Sequence, residues 1–344
     1  MTPMTRALVD AIPMPALLIG PDMRVLAANA GAAQVLGDSG IGGHVARVLR
    51  QPAVLEAIEA CRSGGARTEA QYIADDAGQD AHFDVTCAQV EGAVLVCLAD
   101  VSPAMQTDRM RRDFVANVSH ELRTPLTALS GFIETLMGPA RGDVTATDRF
   151  LGIMQGEAAR MERLVHDLLS LSRVEAQQRQ RPKTLVDLTR VVRGAVDGLC
   201  GVAQKAGMQL SAELADTPVW VQGDADQLRQ ICINLIENGL KYGGQGGRVD
   251  VTLGVEAHYA ALRGPAAILS VRDDGPGIDP LHIPRLTERF YRIDSHRSRQ
   301  KGGTGLGLAI VKHVAQRHRG RLIIESQPGK GCEFRVALPW AEAE

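Results

Sequence analysis

The stretch Phe114-Val115-Ala116-Asn117-Val118-Ser119-His120-Glu121-Leu122-Arg123-Thr124-Pro125-Leu126 decides how the rest of the chain is read. Apolar residues recur at Val115, Val118, Leu122, Leu126, Leu129 and Leu136, spacings that make one helical stripe. At about 3.6 residues per turn, His120 projects opposite the middle of that stripe, so the spacing predicts a histidine facing water in mid-helix. Thr124 shares its face, and Glu121 lies on the flank between that face and the buried one. Pro125 removes an N–H and frees the Glu121 carbonyl, which predicts a loosened or kinked turn just past the histidine. A neutral imidazole beside a carboxylate is a nucleophile with its base at hand. One exposed histidine next to a glutamate is ordinary on any helix. The whole string is not.

Composition narrows the classes. The 344 residues allow two or three domains, and a net charge of -2 argues against a nucleic-acid binder that works by overall basicity. Six cysteines (Cys61, Cys87, Cys97, Cys200, Cys232, Cys332) form no C-x-x-C pair and read as reduced core residues. No run approaches the roughly 18–20 apolar residues that span a bilayer, so no transmembrane segment is expected and the chain reads as soluble and cytoplasmic.

Residues 1–102 read as a small α+β domain. The apolar run Ala16 to Ile19, a turn at Pro21-Asp22 and the segment Arg24 to Ala28 predict a hairpin. A helix is expected from Asn29 to Leu36, ended by Gly37, and further helical stretches over Val45 to Leu49 and Ala53 to Cys61. Strands follow at Thr68 to Ile73, His82 to Gln89 and Ala93 to Leu98, with a turn at Asp75-Asp76-Ala77-Gly78. Residues 103–182 predict two amphipathic helices broken at Gly138-Pro139 and Gly142-Asp143, an antiparallel hairpin. Two helices bury little alone. A four-helix bundle made by two chains, hence a homodimer, is the physical expectation. Residues 183–344 alternate strand and helix as an α/β sandwich with helices over one face of a mixed sheet.

Four clusters in that last segment make sense together. Asn234, Asn238 and Lys241 fall on one helix face, with Tyr242 beside them. Amide oxygens suit Mg²⁺, and a lysine is a point charge for phosphate. Asp273-Asp274-Gly275-Pro276-Gly277 follows a strand, so a carboxylate sits at the strand end with glycines that let a ligand approach. Asp279 to Lys301 is a long basic loop with Phe290, Tyr291, Arg292, Arg297, Arg299 and Lys301, read as a lid with an aromatic anchor. Gly302-Gly303-Thr304-Gly305-Leu306-Gly307-Leu308 runs into a helix, a place where backbone N–H groups cradle phosphate.

The string at 114–126 resembles the H box of sensor histidine kinases, F-x-x-x-x-S-H-E-L-R-T-P-L, residue for residue. The four later clusters, in this order, resemble the N, G1, F and G2 boxes of the same family's ATP domain, the GHKL (Bergerat) fold shared with gyrase and MutL. The first hundred residues resemble a PAS domain, most clearly over Leu18 to Leu36, here read as a relay or dimerisation module. The resemblance implies a multidomain α+β protein and an ATP-dependent protein-histidine kinase. In that reading His120 takes the phosphoryl group and Glu121 accepts the ring proton or fixes the tautomer. Thr124 would orient a water when the regulator is dephosphorylated. The resemblance further implies ATP and Mg²⁺ as ligands. Asn238 and Asn234 would hold the metal, Lys241 phosphate, Tyr242 the base edge and Asp273 the adenine amino group. Phe290 and Arg292 would belong to the lid, and Gly275, Gly277, Gly303, Thr304, Gly305, Leu306 and Gly307 would shape the pocket. The implied partners are a response regulator and a second copy of the chain. Within the family the wording is most similar to the phosphate-regulon group of sensors. Two alternatives remain, a GHKL-type ATPase and a non-catalytic signalling scaffold. An amide at 234 cannot activate water as the glutamate of the ATPases does, which favours the kinase.

Overall fold

The computed structural model describes the chain apart from residues 1–2, 38–39, 65, 77–78, 179, 245, 294–302 and 343–344. The expected turn residues Ala77-Gly78 and the lid or glycine-run residues Arg297, Arg299, Lys301 and Gly302 lie outside the described residues. The chain divides into two compact units, Met1–Ala116 and Asn117–Glu344.

The first unit contains α1 (Pro3–Asp10), β1 (Ala16–Ile19), β2 (Val25–Ala28), α2 (Ala30–Leu36), α3 (Pro52–Arg62), β3 (Thr68–Asp76), β4 (Gln79–Val90) and β5 (Ala93–Asp100). The strands form one antiparallel sheet in the order β2-β1-β5-β4-β3. Strand β1 is apolar at every position because both of its faces are covered. Leu17 and Ile19 enter the core with Ile58, Val85 and Leu98, while Ala16 and Leu18 pack with Val9 of α1. Asn29 is the hinge of this corner. Its Oδ1 accepts from the N–H of Ala16 and of Ala32, which caps α2, and its Nδ2 donates to the carbonyls of Ile12 and Met14. Helix α1 had no sequence expectation, and the stretch Val45 to Leu49, expected to be helical, closes as a short 3₁₀ turn over Val45–Arg47.

Helix α4 spans Ser102–Met137. It is followed by α5 (Val144–Ala176), whose Asp143 cap accepts from the N–H of Ala146 at 2.9 Å. Then come β6 (Leu185–Asp187), α6 (Leu188–Lys205), β7 (Gln209–Leu214), β8 (Trp220–Gln222), α7 (Ala225–Tyr242), β9 (Arg248–Tyr259), β10 (Gly264–Asp273), α8 (Gly307–Arg317), β11 (Arg321–Ser326) and β12 (Cys332–Pro339). Five strands make a mixed sheet in the order β11-β12-β10-β9-β7, with only the β7–β9 pair parallel, and β6 pairs with β8 apart from it. Helices α6, α7 and α8 lie on the sheet through Val192, Leu228, Ile231, Leu235, Ile310 and Val314, all fully or almost fully buried.

The helix pair is less buried than its stripe implies. Leu164, Leu171 and Val174 of α5 are buried, but Val115 and Leu126 of the α4 stripe remain 58% and 59% exposed. Within one chain the stripe is only half used.

Candidate functional site

His120 and Thr124 are exposed on α4, and Thr124 Oγ1 donates to the His120 carbonyl at 3.1 Å. The hydroxyl is thus turned back on the helix. Pro125 is buried inside the helix, where it can give no N–H to the Glu121 carbonyl. Glu121 does not stand open beside His120, as the sequence suggested. Its Oε2 accepts from Arg160 of α5 at 2.8 Å and from Arg292 of the lid segment at 3.2 Å. Arg160, with its side chain 11% exposed, had no place in the sequence reading.

The nucleotide-type residues converge. A cleft of about 1210 Å³ is lined by Asn234, Asn238, Lys241, Tyr242, Asp273, Gly277, Arg292, Gly303, Thr304, Gly305 and Gly307. One wall is α5, through residues such as His166, Asp167 and Ser170. Gly275, Phe290 and Leu306 support the cleft from behind. The Gly275 N–H donates to Asp273 Oδ1 at 3.0 Å, the Phe290 N–H donates to the Gly305 carbonyl at 2.9 Å, and Leu306 is fully buried at the start of α8.

Two glycines are required by space as well as by backbone. Gly277 has φ +71°, and a Cβ there would lie 2.0 Å from the Gln327 carbonyl oxygen. Gly305 has φ +73°, and its Cβ would meet the Phe290 Cα at 2.9 Å.

Charge in the cleft is arranged by pairs. Lys241 Nζ donates to Glu237 Oε2 at 2.6 Å, one turn back on α7. Asn234 Nδ2 donates to the Gly307 carbonyl at 3.3 Å, which leaves the amide oxygen to serve a cation. Burial pushes the Asp273 carboxyl up, against the N–H groups of Gly275 and Cys332 and with the Asp274 charge adding to it. Burial likewise raises Asp167, opposed by the Thr304 hydroxyl, which donates to its Oδ2 at 2.7 Å. The Nε of Arg292 is buried with no hydrogen-bond partner among the described residues.

These observations fit a magnesium nucleotide. The cleft is large enough for a cofactor-sized molecule, amide oxygens suit a hard cation, and an unsatisfied guanidinium N–H beside a glycine turn suits an anion. Among the described residues no group of three or more His, Cys, Asp or Glu could hold a metal by itself, so phosphate oxygens and water would have to complete the shell.

Contacts also tie the cleft's edge to α5. Glu175 Oε1 pairs with Arg289 at 2.5 Å and with His313 Nε2 at 3.5 Å, and Ser170 Oγ donates to Gln230 Oε1 at 2.7 Å. Sequence spacing carries no signal for these pairs, because Asp167 and Thr304 are 137 positions apart.

Comparison with known proteins agrees with this arrangement. Residues 9–104 match the family described as PAS fold, 110–177 the His Kinase A (phospho-acceptor) domain, and 223–342 the Histidine kinase-, DNA gyrase B-, and HSP90-like ATPase. The phosphate regulon sensor protein PhoR of Pseudomonas aeruginosa is 43% identical over 258 residues, covering 73% of this chain and 55% of that protein. The sensor histidine kinase WalK of Bacillus subtilis is 36% identical over 256 residues, covering 74% of this chain and 41% of that protein. The chain thus spans about half the length of the curated relatives it matches. In fold it is similar to histidine kinase ThkA, solved in complex with response regulator protein TrrA, at a TM-score of 0.52 and 18% identity over 97% of this chain and 98% of that one. Among the described residues no helix is long and apolar enough to cross a membrane. With an exposed histidine on a long helix, a glycine-edged cleft on a mixed sheet and matches to all three domain families, the chain belongs to the PAS-containing sensor histidine kinases.

Proposed function

We propose that this chain is an ATP-dependent protein-histidine kinase of a two-component system, working in the cytoplasm as a homodimer. Its parts are a relay domain over 1–102, a dimerising phospho-acceptor hairpin over 103–182 and a nucleotide domain over 183–344. The observation that carries the reading is the cleft lined by Asn234, Asn238, Lys241, Asp273 and the glycine turns, with α5 as one wall, while His120 stands exposed on α4, the other helix of the pair. Bound ATP with its Mg²⁺ supplies the phosphoryl group. Asn238, assisted by Asn234, would hold the metal, and Lys241 with the N–H groups of the turn at Gly303 to Gly307 would hold phosphate oxygens. Asp273, at the end of β10, would accept from the adenine amino group, with Tyr242 along the base and Gly275 and Gly277 keeping the approach open.

His120 acts as nucleophile through a ring nitrogen. Glu121 takes the ring proton or fixes the tautomer, with its Oε2 held here by Arg160 and Arg292. Lid closure over Phe290 and Arg292 would exclude water. The phosphoryl group then passes from His120 to an aspartate of a response regulator. Thr124 would orient the water that removes it again, once its hydroxyl turns from the His120 carbonyl.

The test is incubation of the full chain with γ-labelled ATP and Mg²⁺, beside His120→Gln and Asn238→Asp variants. Acid-labile, alkali-stable label on the wild type alone is the expected result, with a loss of at least about a hundredfold in either variant. Label that survives His120→Gln would move the acceptor elsewhere and sink the assignment.

A further inference from the structure

Lys241, which the kinase reading gives to phosphate, and two side chains beside it at the glycine turn and the lid, Thr304 and Arg292, are each held by a carboxylate in this structure. Thr304 donates to Asp167 at 2.7 Å, Arg292 to Glu121 at 3.2 Å and Lys241 to Glu237 at 2.6 Å. Two of the three carboxylates, Asp167 and Glu121, come from the helix pair and not from the nucleotide domain itself. A carboxylate and a phosphate compete for the same donors, since both are oxygen anions recognised by O–H and N–H groups at hydrogen-bond length. They also repel each other in a partly enclosed cleft. The Asp167 side chain is 18% exposed and Arg292 7%, so neither contact is a loose surface pair.

Resting on the nucleotide reading, we propose that Asp167 is an internal competitor for the phosphate groups of the nucleotide. It holds the hydroxyl of the glycine turn while the helix pair is docked and gives it up when phosphate arrives. Glu121 does the same to Arg292. Glu175 is the strut that keeps the docked state together, through Arg289 and His313, and it does not line the cleft. The docked arrangement is therefore self-inhibited, and phosphate binding is coupled to release of α5 and of Glu121. Because Asp167 opposes phosphate and not the base, its effect is specific to the phosphorylated ligand.

The experiment measures binding of a non-hydrolysable ATP analogue and of adenosine to the full chain by calorimetry, in the wild type, Asp167→Ala and Glu175→Gln. In Asp167→Ala the analogue should bind on the order of fivefold tighter or more, while adenosine affinity stays the same. Glu175→Gln, which changes no residue lining the cleft, should shift the analogue in the same direction, and it carries the test if Asp167→Ala does not fold. Analogue affinity unchanged or weakened in both variants, or adenosine tightened as much as the analogue, overturns the competitor role while leaving the nucleotide site standing. No adenine ligand bound by any of the three proteins would overturn the nucleotide reading and this proposal with it.

Discussion

At the scale of single residues, the nucleotide domain is pinned by His318, which is 1% exposed. Its Nε2 accepts the N–H of Asp224 at 3.0 Å, so the ring proton must sit on Nδ1, which donates to the Val314 carbonyl at 2.8 Å. The ring thereby joins the end of α8 to the cap of α7, two helices that border the cleft. A charged ring would lose the Asp224 bond, and burial holds the pKa below the ordinary 6.5. The unfolded chain takes up a proton near 6.5 that the folded chain refuses, so stability is full above that value and falls as pH drops through it. His313, lowered mainly by burial with Glu175 opposing, acts in the same direction. Urea titrations between pH 8 and 5 should show a steep decline in the wild type. His318→Gln should be less stable at pH 8, with a visibly shallower slope. A parallel slope would remove His318 from the pH response.

At the scale of elements, the most legible parts were those whose own pattern decides them. Helix α2 starts at its Asn29 cap, as expected, and Gly37 ends it in the left-handed region at φ 74°. What was missed depends on distant partners. Strand β6 is three residues long and exists only because β8 pairs with it, and α1 is a short helix whose Val9 is buried against β1 and β2. The cleft residues were legible as motifs, whereas Arg160, Asp167 and Glu175 were not, since α5 meets the nucleotide domain through contacts that no local period encodes. In α4, Pro125 withholds the N–H that would close on Glu121, and this gap lies one turn after His120. Pro125→Ala restores the bond and removes a residue about 3 kcal/mol unfavourable in a helix interior, so the hairpin should melt later, by a margin of ~1–3 kcal/mol. The same change should slow labelling of His120 if the acceptor turn needs that slack, and thermal melts beside the labelling assay read both effects.

At the scale of the whole molecule, the helix pair leaves much apolar surface open: Leu126 is 59% exposed and Leu151 51%. Burying a leucine contributes roughly 1.5–3 kcal/mol, so covering these positions with a second chain would release far more than a lone hairpin can gain by itself. Leu126→Asp should convert a two-chain particle into a single chain in sedimentation equilibrium, with adenine nucleotide affinity retained because Leu126 does not line the cleft. A wild type that sediments as one chain would remove the bundle. Helix α4 adds a mechanical consequence. From Ser102 to His120 its hydrogen-bond ladder holds no proline after the first turn, so that segment behaves as a stiff torsion rod. The compliance of the helix lies beyond His120, where Pro125 leaves the ladder open. His120 therefore sits on the stiff part of the helix, just ahead of its soft coupling.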